Sequence, residues 1–219
     1  MKKIFLFSLC FLAILVAQAQ SPLRLGLRLS PMISFPTITD NDKNTIVNTD
    51  ASGKVGIGGG LIGIYQFTDK FGFQSGIQIC TRGFTITRPN TEQSSNVTMI
   101  EIPVLLHMRT NDIANGWRAR GVFGSTIGIL GGASSDIKVN GVSTSDKKGD
   151  NFSSLQFDFT FGAGAEWSLG KAGTLDFGLS YHLPLLLMSD KMLKINTNNT
   201  FEDARIKLGY LALDLSYYF

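Results

Sequence analysis

Residues 206–219 read IKLGYLALDLSYYF, and their alternation decides the fold. Leu211, Leu213, Leu215, Tyr217 and Phe219 fall on one face of an extended strand; Ala212, Asp214, Ser216 and Tyr218 fall on the other. A soluble strand alternates too, but a chain end is usually frayed and polar unless it is tied into a sheet. Here the alternation runs to the last residue and finishes on an aromatic. It reads as the closing strand of a barrel whose outer face meets lipid.

Working outward with the same period of two, seven further segments stand out. Residues 23–35 set Leu23, Leu25, Leu27 and Leu29 against Arg24, Gly26 and Arg28. Residues 55–67 are Gly-rich and align Val55, Ile57, Leu61, Tyr65 and Phe67, while residues 71–87 oppose Phe71, Phe73, Ile77 and Ile79 to Gln74, Gln78 and Arg82. Residues 97–109 set Ile100, Ile102, Val104, Leu106 and Met108 against Glu101, Leu105, His107 and Arg109. Residues 117–130 are the least regular, with Arg118 and Arg120 opposite Trp117, Ala119 and Phe123. Residues 157–169 alternate most cleanly, and residues 174–187 carry Asp176, Gly178, Ser180 and His182 opposite Leu175, Phe177, Leu179 and Tyr181. Each segment is long enough for the ~9 to 11 tilted residues that cross a bilayer. The expected fold is all-β: an eight-stranded antiparallel up-and-down transmembrane β-barrel.

The other end of the chain agrees. Lys2 and Lys3 precede an apolar run from Ile4 to Ala17, broken only by Ser8, and Ala17-Gln18-Ala19 offers small residues for cleavage. That run is short against the ~20 residues of a membrane-spanning helix, so residues 1–19 read as a secretory signal peptide. Residues 20–219 form the expected barrel domain. Removing Lys2 and Lys3 leaves 18 basic against 17 acidic side chains and lowers the net charge from +3 to +1. A nucleic-acid partner would want clustered excess Lys and Arg, so none is expected. Without Cys10, Cys80 stands alone, which excludes an intramolecular disulfide and multi-cysteine zinc.

The connections sort into two kinds. Thr68-Asp69-Lys70, residues 110–116 and Gly170-Lys171-Ala172-Gly173 are short; residues 36–54, 133–154 and 189–205 are long and polar, with 89–96 the shortest of that set. Short turns at one rim and long loops at the other is the layout of an outer-membrane barrel with both termini on the periplasmic side. A soluble barrel or sandwich would turn the large aromatic face inward. That would leave Gly, Gln, Asp, Glu and Arg outside.

An eight-stranded barrel is just wide enough to be filled by side chains. The inward positions include Arg24, Arg28, Arg82, Glu101, Arg109, Arg118, Arg120, Asp158, Glu166, Asp176 and Asp214. Charges out of water need partners, so these predict a mutually satisfied network that plugs the bore. The sharper alternative is a narrow ion-selective pore. Asp176, Ser180 and His182 share one face of one strand, which superficially offers an acid, a nucleophile and a base. Positions two apart lie ~6.6 to 6.8 Å apart along a strand, and no G-x-S-x-G turn supports Ser180. No catalytic, metal or cofactor residue is therefore assigned, and His107 reads as a lumen hydrogen-bonding residue beside Glu101 or Arg109.

Pro103 is odd inside a strand, because a closed barrel has no edge to hide a missing N–H; a bulge or a local gap is expected there. The segment around it, Ile100-Glu101-Ile102-Pro103-Val104-Leu105-Leu106, resembles the L-E-I-P-L-L-L strand of the PorT-like outer-membrane β-barrel family, common in Bacteroidota. Gly162-Ala163-Gly164-Ala165-Glu166 is similar to that family's G-x-G-x-E strand, and a short signal peptide ending Ala-Gln fits as well. The resemblance covers essentially the whole mature chain and carries no chemistry. It implies an outer-membrane barrel in contact with outer-membrane lipid. The family's namesake takes part in protein secretion, so a secretion or envelope protein partner is the role it suggests. Tyr217 and Phe219 also resemble the C-terminal signal by which barrel-assembly machinery recognises its clients.

Overall fold

The computed structural model describes residues 22–39, 50–140, 142–146, 152–189 and 205–219. The predicted signal peptide and parts of three predicted long loops lie outside the described residues. Ten strands are described: β1 (Leu23–Thr39), β2 (Asp50–Gly53), β3 (Val55–Gln66), β4 (Phe71–Arg88), β5 (Thr91–Arg109), β6 (Trp117–Val139), β7 (Val142–Asp146), β8 (Leu155–Ser168), β9 (Thr174–Pro184) and β10 (Arg205–Tyr218). Eight of them close a ring. Neighbours run β4-β3-β1-β10-β9-β8-β6-β5, and β5 pairs back onto β4, all antiparallel. In lipid every backbone polar group needs a partner inside the chain, and a closed ring supplies it.

The two strands outside the ring extend it at one end. β2 continues the line of β3 along β4 after a break at Lys54, whose N–H donates to the Gly83 carbonyl at 3.0 Å and whose carbonyl accepts from Ser34 N–H at 3.1 Å. β7 folds back on the far end of β6. The predicted loop at 89–96 is largely strand: Arg88 pairs with Thr91 across a two-residue turn at Pro89 and Asn90, with Asn90 at φ 65°. Likewise β6 runs to Val139, and Asn140 at φ 48° turns the chain into β7. The Asn140-Gly141 dipeptide was the available hairpin signal. These segments escaped a polarity reading because outside lipid both faces of a hairpin can be polar.

The facing follows the alternation. Leu213, Leu215, Tyr217 and Phe219 point outward and stay exposed, and Asp214, Ser216 and Tyr218 are buried inside. At the turn end, Trp117 stacks on Trp167 at 5.4 Å, Phe177 packs against Trp117 at 5.5 Å, and Tyr217 meets Phe219 at 5.8 Å. Outward aromatics at one rim are the belt expected where a barrel wall meets an interface. The Tyr217 hydroxyl donates to the Ala172 carbonyl in the β8–β9 turn.

Two irregularities have separable causes. At Pro103 the β4–β5 ladder keeps its register but loses the pairs Gly76–Pro103 and Ile77–Ile102. Pro103 has no N–H to return to the Gly76 carbonyl, so the result is a gap and not a bulge. Pro31 does the same to the β1–β10 ladder between Leu29–Leu215 and Met32–Ala212. The bulge sits elsewhere: Thr98 pairs with Gly132 and Met99 with Leu130, leaving Gly131 as the extra residue. That extra residue exchanges the faces of β6 beyond Leu130; within residues 117–130 the parity holds, and the alternation looked irregular because Val122 faces inward while Gly121 and Ser125 fall in the outward row.

Candidate functional site

The inward side chains occupy the bore in two storeys. The lower storey, from the turn end to mid-barrel, is ionic. Glu166 on β8 is its first hub: Arg24 Nη2 lies 2.8 Å from Oε1, His107 Nε2 3.1 Å from Oε1, and Arg109 Nη1 3.5 Å from Oε2. Side chains from two other strands, β1 and β5, thus converge on one β8 carboxylate that is 1% exposed. Arg109 is also held by the Asp69 carbonyl at 2.9 Å. Beside this hub, Arg120 donates to Asp176 at 2.8 Å. A Cβ at position 178 would sit 2.6 Å from the Arg120 guanidinium, so Gly178 leaves the room that this ion pair needs.

The second hub is Glu101 on β5, fully buried. Tyr210 donates to its Oε2 at 2.8 Å, Cys80 at 3.3 Å and Gln78 at 3.5 Å. Arg82 reaches Glu101 at 3.3 Å and Asp158 at 3.5 Å, within ion-pair distance though without hydrogen-bond alignment. Its guanidinium also lies over the Tyr210 ring at 4.6 Å, a cation–π contact. His182 stacks on the opposite side of this cluster against Tyr210 at 4.0 Å.

Eight of the eleven sequence-predicted charged residues therefore meet in ion pairs: Arg24, Arg82, Glu101, Arg109, Arg120, Asp158, Glu166 and Asp176. Arg28 and Asp214 instead use hydroxyls across the β1–β10 seam: Arg28 Nε donates to Ser216 at 3.0 Å, and Ser30 donates to Asp214 at 2.8 Å. Arg118 stands opposite Glu166 in the β6–β8 ladder and makes no ion pair among the described residues. His107 pairs with Glu166 rather than with Glu101 or Arg109.

The upper storey is apolar. Phe84, Ile86, Val97, Met99, Met188, Ile206 and Leu208 are fully or almost fully buried in one cluster, joined by Ile38 and Phe152, with Leu130 and Ala133 packed against them. The charge-led reading of the lumen missed this core, together with the hub residues Tyr210 and Cys80; His182 was placed on the inward face but not against Tyr210. The signal was present: continuing the inward parity of β4 past Arg82 gives Phe84 and Ile86, and that of β10 past Tyr210 gives Leu208 and Ile206.

Two arrangements invite chemistry. Ser180 Oγ lies 3.3 Å from His182 Nε2, but His182 Nδ1 faces Thr160 at 3.1 Å and Asp176 is bound to Arg120. The acid of the superficial triad is thus elsewhere, and Ser180 is 2% exposed. Ligand atoms of His107, Glu166 and Asp176 lie within 4.8 Å of one another. Arg24, Arg109 and Arg120 already hold those carboxylates, a setting that repels a cation.

A closed antiparallel ring, lipid-like outside and polar at mid-bore, defines the class of outer-membrane β-barrel proteins. The sequence matches the outer membrane protein beta-barrel domain over residues 17–187, well over half the chain, and the protein belongs to that family. Its place is the cell outer membrane. Among solved structures it is similar to the outer membrane protein OprG from Pseudomonas aeruginosa, with 12% identity, 90% of this chain and 94% of that chain covered, and a TM-score of 0.53. Neisserial surface protein A is similar at 10% identity, 91% and 98% coverage and a TM-score of 0.40. Ail of Yersinia pestis is similar at 12% identity, 90% and 97% coverage and a TM-score of 0.38. The OprG likeness supports the fold alone. No curated protein matches the chain significantly.

Proposed function

We propose that this protein is a plugged barrel, a rigid outer-membrane anchor that presents its loop-end strands to an extracellular or envelope partner. One observation supports the reading: inward side chains are buried at two heights of the bore. Arg82 and Glu101 at mid-height are fully buried, and above them Phe84, Val97, Met99 and Leu208 have no exposed surface. A conducting path would have to pass both a packed apolar layer and a set of committed ion pairs. No reaction, cofactor or nucleic acid enters this reading. Its partners are lipid along the outward rows, the assembly machinery at Tyr217 and Phe219, and a protein at the loop end.

Planar-bilayer recording of the purified protein tests it. Quiet membranes are expected; steady, reproducible single-channel steps would overturn the plugged bore. A second reading, an accessory of a protein secretion system in the manner of PorT-like barrels, is favoured by the proline strand around Pro103 and by the projecting β2, β4–β5 and β6–β7 segments. Gentle detergent extraction and pull-down separates the two. Stoichiometric secretion components would support the accessory role, and a barrel recovered without them supports the anchor.

A further inference from the structure

The bilayer-facing wall is not uniformly bulky. On β3 and β4 the outward rows run Leu61, Gly63, Tyr65 and Phe73, Ser75, Ile77, and Gly63 stands directly opposite Ser75 in the ladder. Two small residues side by side leave a notch walled by Leu25, Leu61, Tyr65, Phe73, Ile77 and Ile102; small outward pairs also occur at Ala119–Ala165 and Gly121–Ala163 on the other side of the ring. The resulting groove has a volume of about 540 Å³, and no charged residue lines it. That size falls within the ~300 to 1,000 Å³ of ligand pockets. Leu25 closes one side, since a Cβ at Gly63 would lie 3.1 Å from its Cδ2, and Ile102 closes the other.

The floor differs from the walls. Ser75 contributes a hydroxyl with no hydrogen bond among the described residues, and Gly76 lies in the lining where Pro103 withdraws a ladder donor. An acyl chain offers such groups no partner, so the contact comes from the apolar walls and not from the floor. The groove's extent is equally informative. From Tyr65 to Leu61 it covers four strand steps, about 13 to 14 Å at ~3.4 Å each, or roughly 10 Å along the bilayer normal at the ~35–45° tilt of barrel strands. That depth lies within one leaflet, whose share of the ~30 Å hydrocarbon core is about 15 Å.

We infer that the notch at Gly63 and Ser75 seats a single acyl chain of a phospholipid from the leaflet at the turn end. The groove is continuous with the lipid-facing surface, open toward the bilayer and lined by apolar side chains apart from Ser75. An ordered chain there fills a defect that annular lipid would otherwise bridge poorly. The inference rests on the outer-membrane barrel and is independent of whether the bore conducts.

The test is photolabelling in proteoliposomes of phosphatidylethanolamine carrying a diazirine on one acyl chain, read by peptide mass spectrometry. Labelling concentrated on Leu25, Tyr65 and Phe73 is expected, falling at least threefold in Gly63→Leu while labelling of the opposite wall at Phe161 and Leu179 stays unchanged. Ser75→Leu fills the same notch from the neighbouring strand and serves if Gly63→Leu does not assemble; heat-modifiable migration reports folding for both. Labelling spread evenly around the barrel, or unchanged in a folded filled variant, would overturn the site. So would loss of wild-type labelling on self-association, with cross-links joining two copies through Gly63, because the occupant would then be a second copy.

Discussion

The lower and upper storeys of this barrel are built inside out with respect to each other. At mid-barrel, Ile79 and Ile100 form an outward pair while Arg82 and Glu101 are inside. The next outward pair is Thr81 and Thr98, and around and beyond it Met99, Val97 and Phe84 take over the interior, with Arg82 opposite Val97 at the junction. β1 and β10 switch at a matching point: Phe35 is outward below, Thr37 and Lys207 are paired outward above, and Ile206 and Leu208 are inside. The lower storey answers to lipid, so its polar groups turn inward and satisfy one another. The upper storey answers to water and carries the ordinary hydrophobic core of a soluble β-barrel. One chain thus changes solvent along its strands without changing its backbone, and the switch marks where the hydrocarbon ends.

Substitutions in each storey test that contrast. The two largest effects are expected to match although their origins differ. Arg82→Ala strands Glu101 and Asp158 in the interior and should cost about 3–5 kcal/mol. Phe84→Ala opens a cavity in the apolar storey and should cost about 3–5 kcal/mol as well. Urea unfolding from lipid vesicles measures both, and a negligible loss at either site would mean that its storey is not packed. Next is Leu213→Arg on the lower outward face, where a guanidinium near the bilayer midplane costs about 2–4 kcal/mol. The smallest effect is Thr87→Arg on the upper outward face, expected within about 0.5 kcal/mol because that position meets water. If Leu213→Arg and Thr87→Arg cost the same, the proposed boundary between the two solvents is misplaced.

Much of this architecture could be read directly from residue order. Strict alternation in residues 157–169 and 206–219 places Phe161 and Leu213 outside and Asp158 and Asp214 inside, because a period of two leaves no other choice on a pleated strand. Polarity alone misjudged where strands end. Thr91–Asn96 and Ser134–Val139 lie beyond lipid, where the outward face need not be apolar, so their contrast fades while their pairing continues. Inward placement of Arg82 and Glu166 followed from parity, but their partners did not. Which charges meet across a bore depends on the stagger of neighbouring strands, and His107 reaching Glu166 on β8 is a three-dimensional outcome. Gly131 hid the continuation of β6 past Leu130 for a related reason: one extra residue exchanges its two faces.

The joint between β1 and β10 has one further consequence. It unites the first and last strands of the ring, so Gly26 meets Tyr218 only after the entire barrel domain has been delivered to the membrane. Pro31 leaves that joint partly unlaced, and two side-chain links span it, Arg28 to Ser216 just below the break and Ser30 to Asp214 at it. A slip of one residue would turn Asp214 to the lipid and Leu213 to the bore. The two polar links act as alignment pins at the final step of assembly, accepting one stagger of the closing strand and rejecting its neighbours.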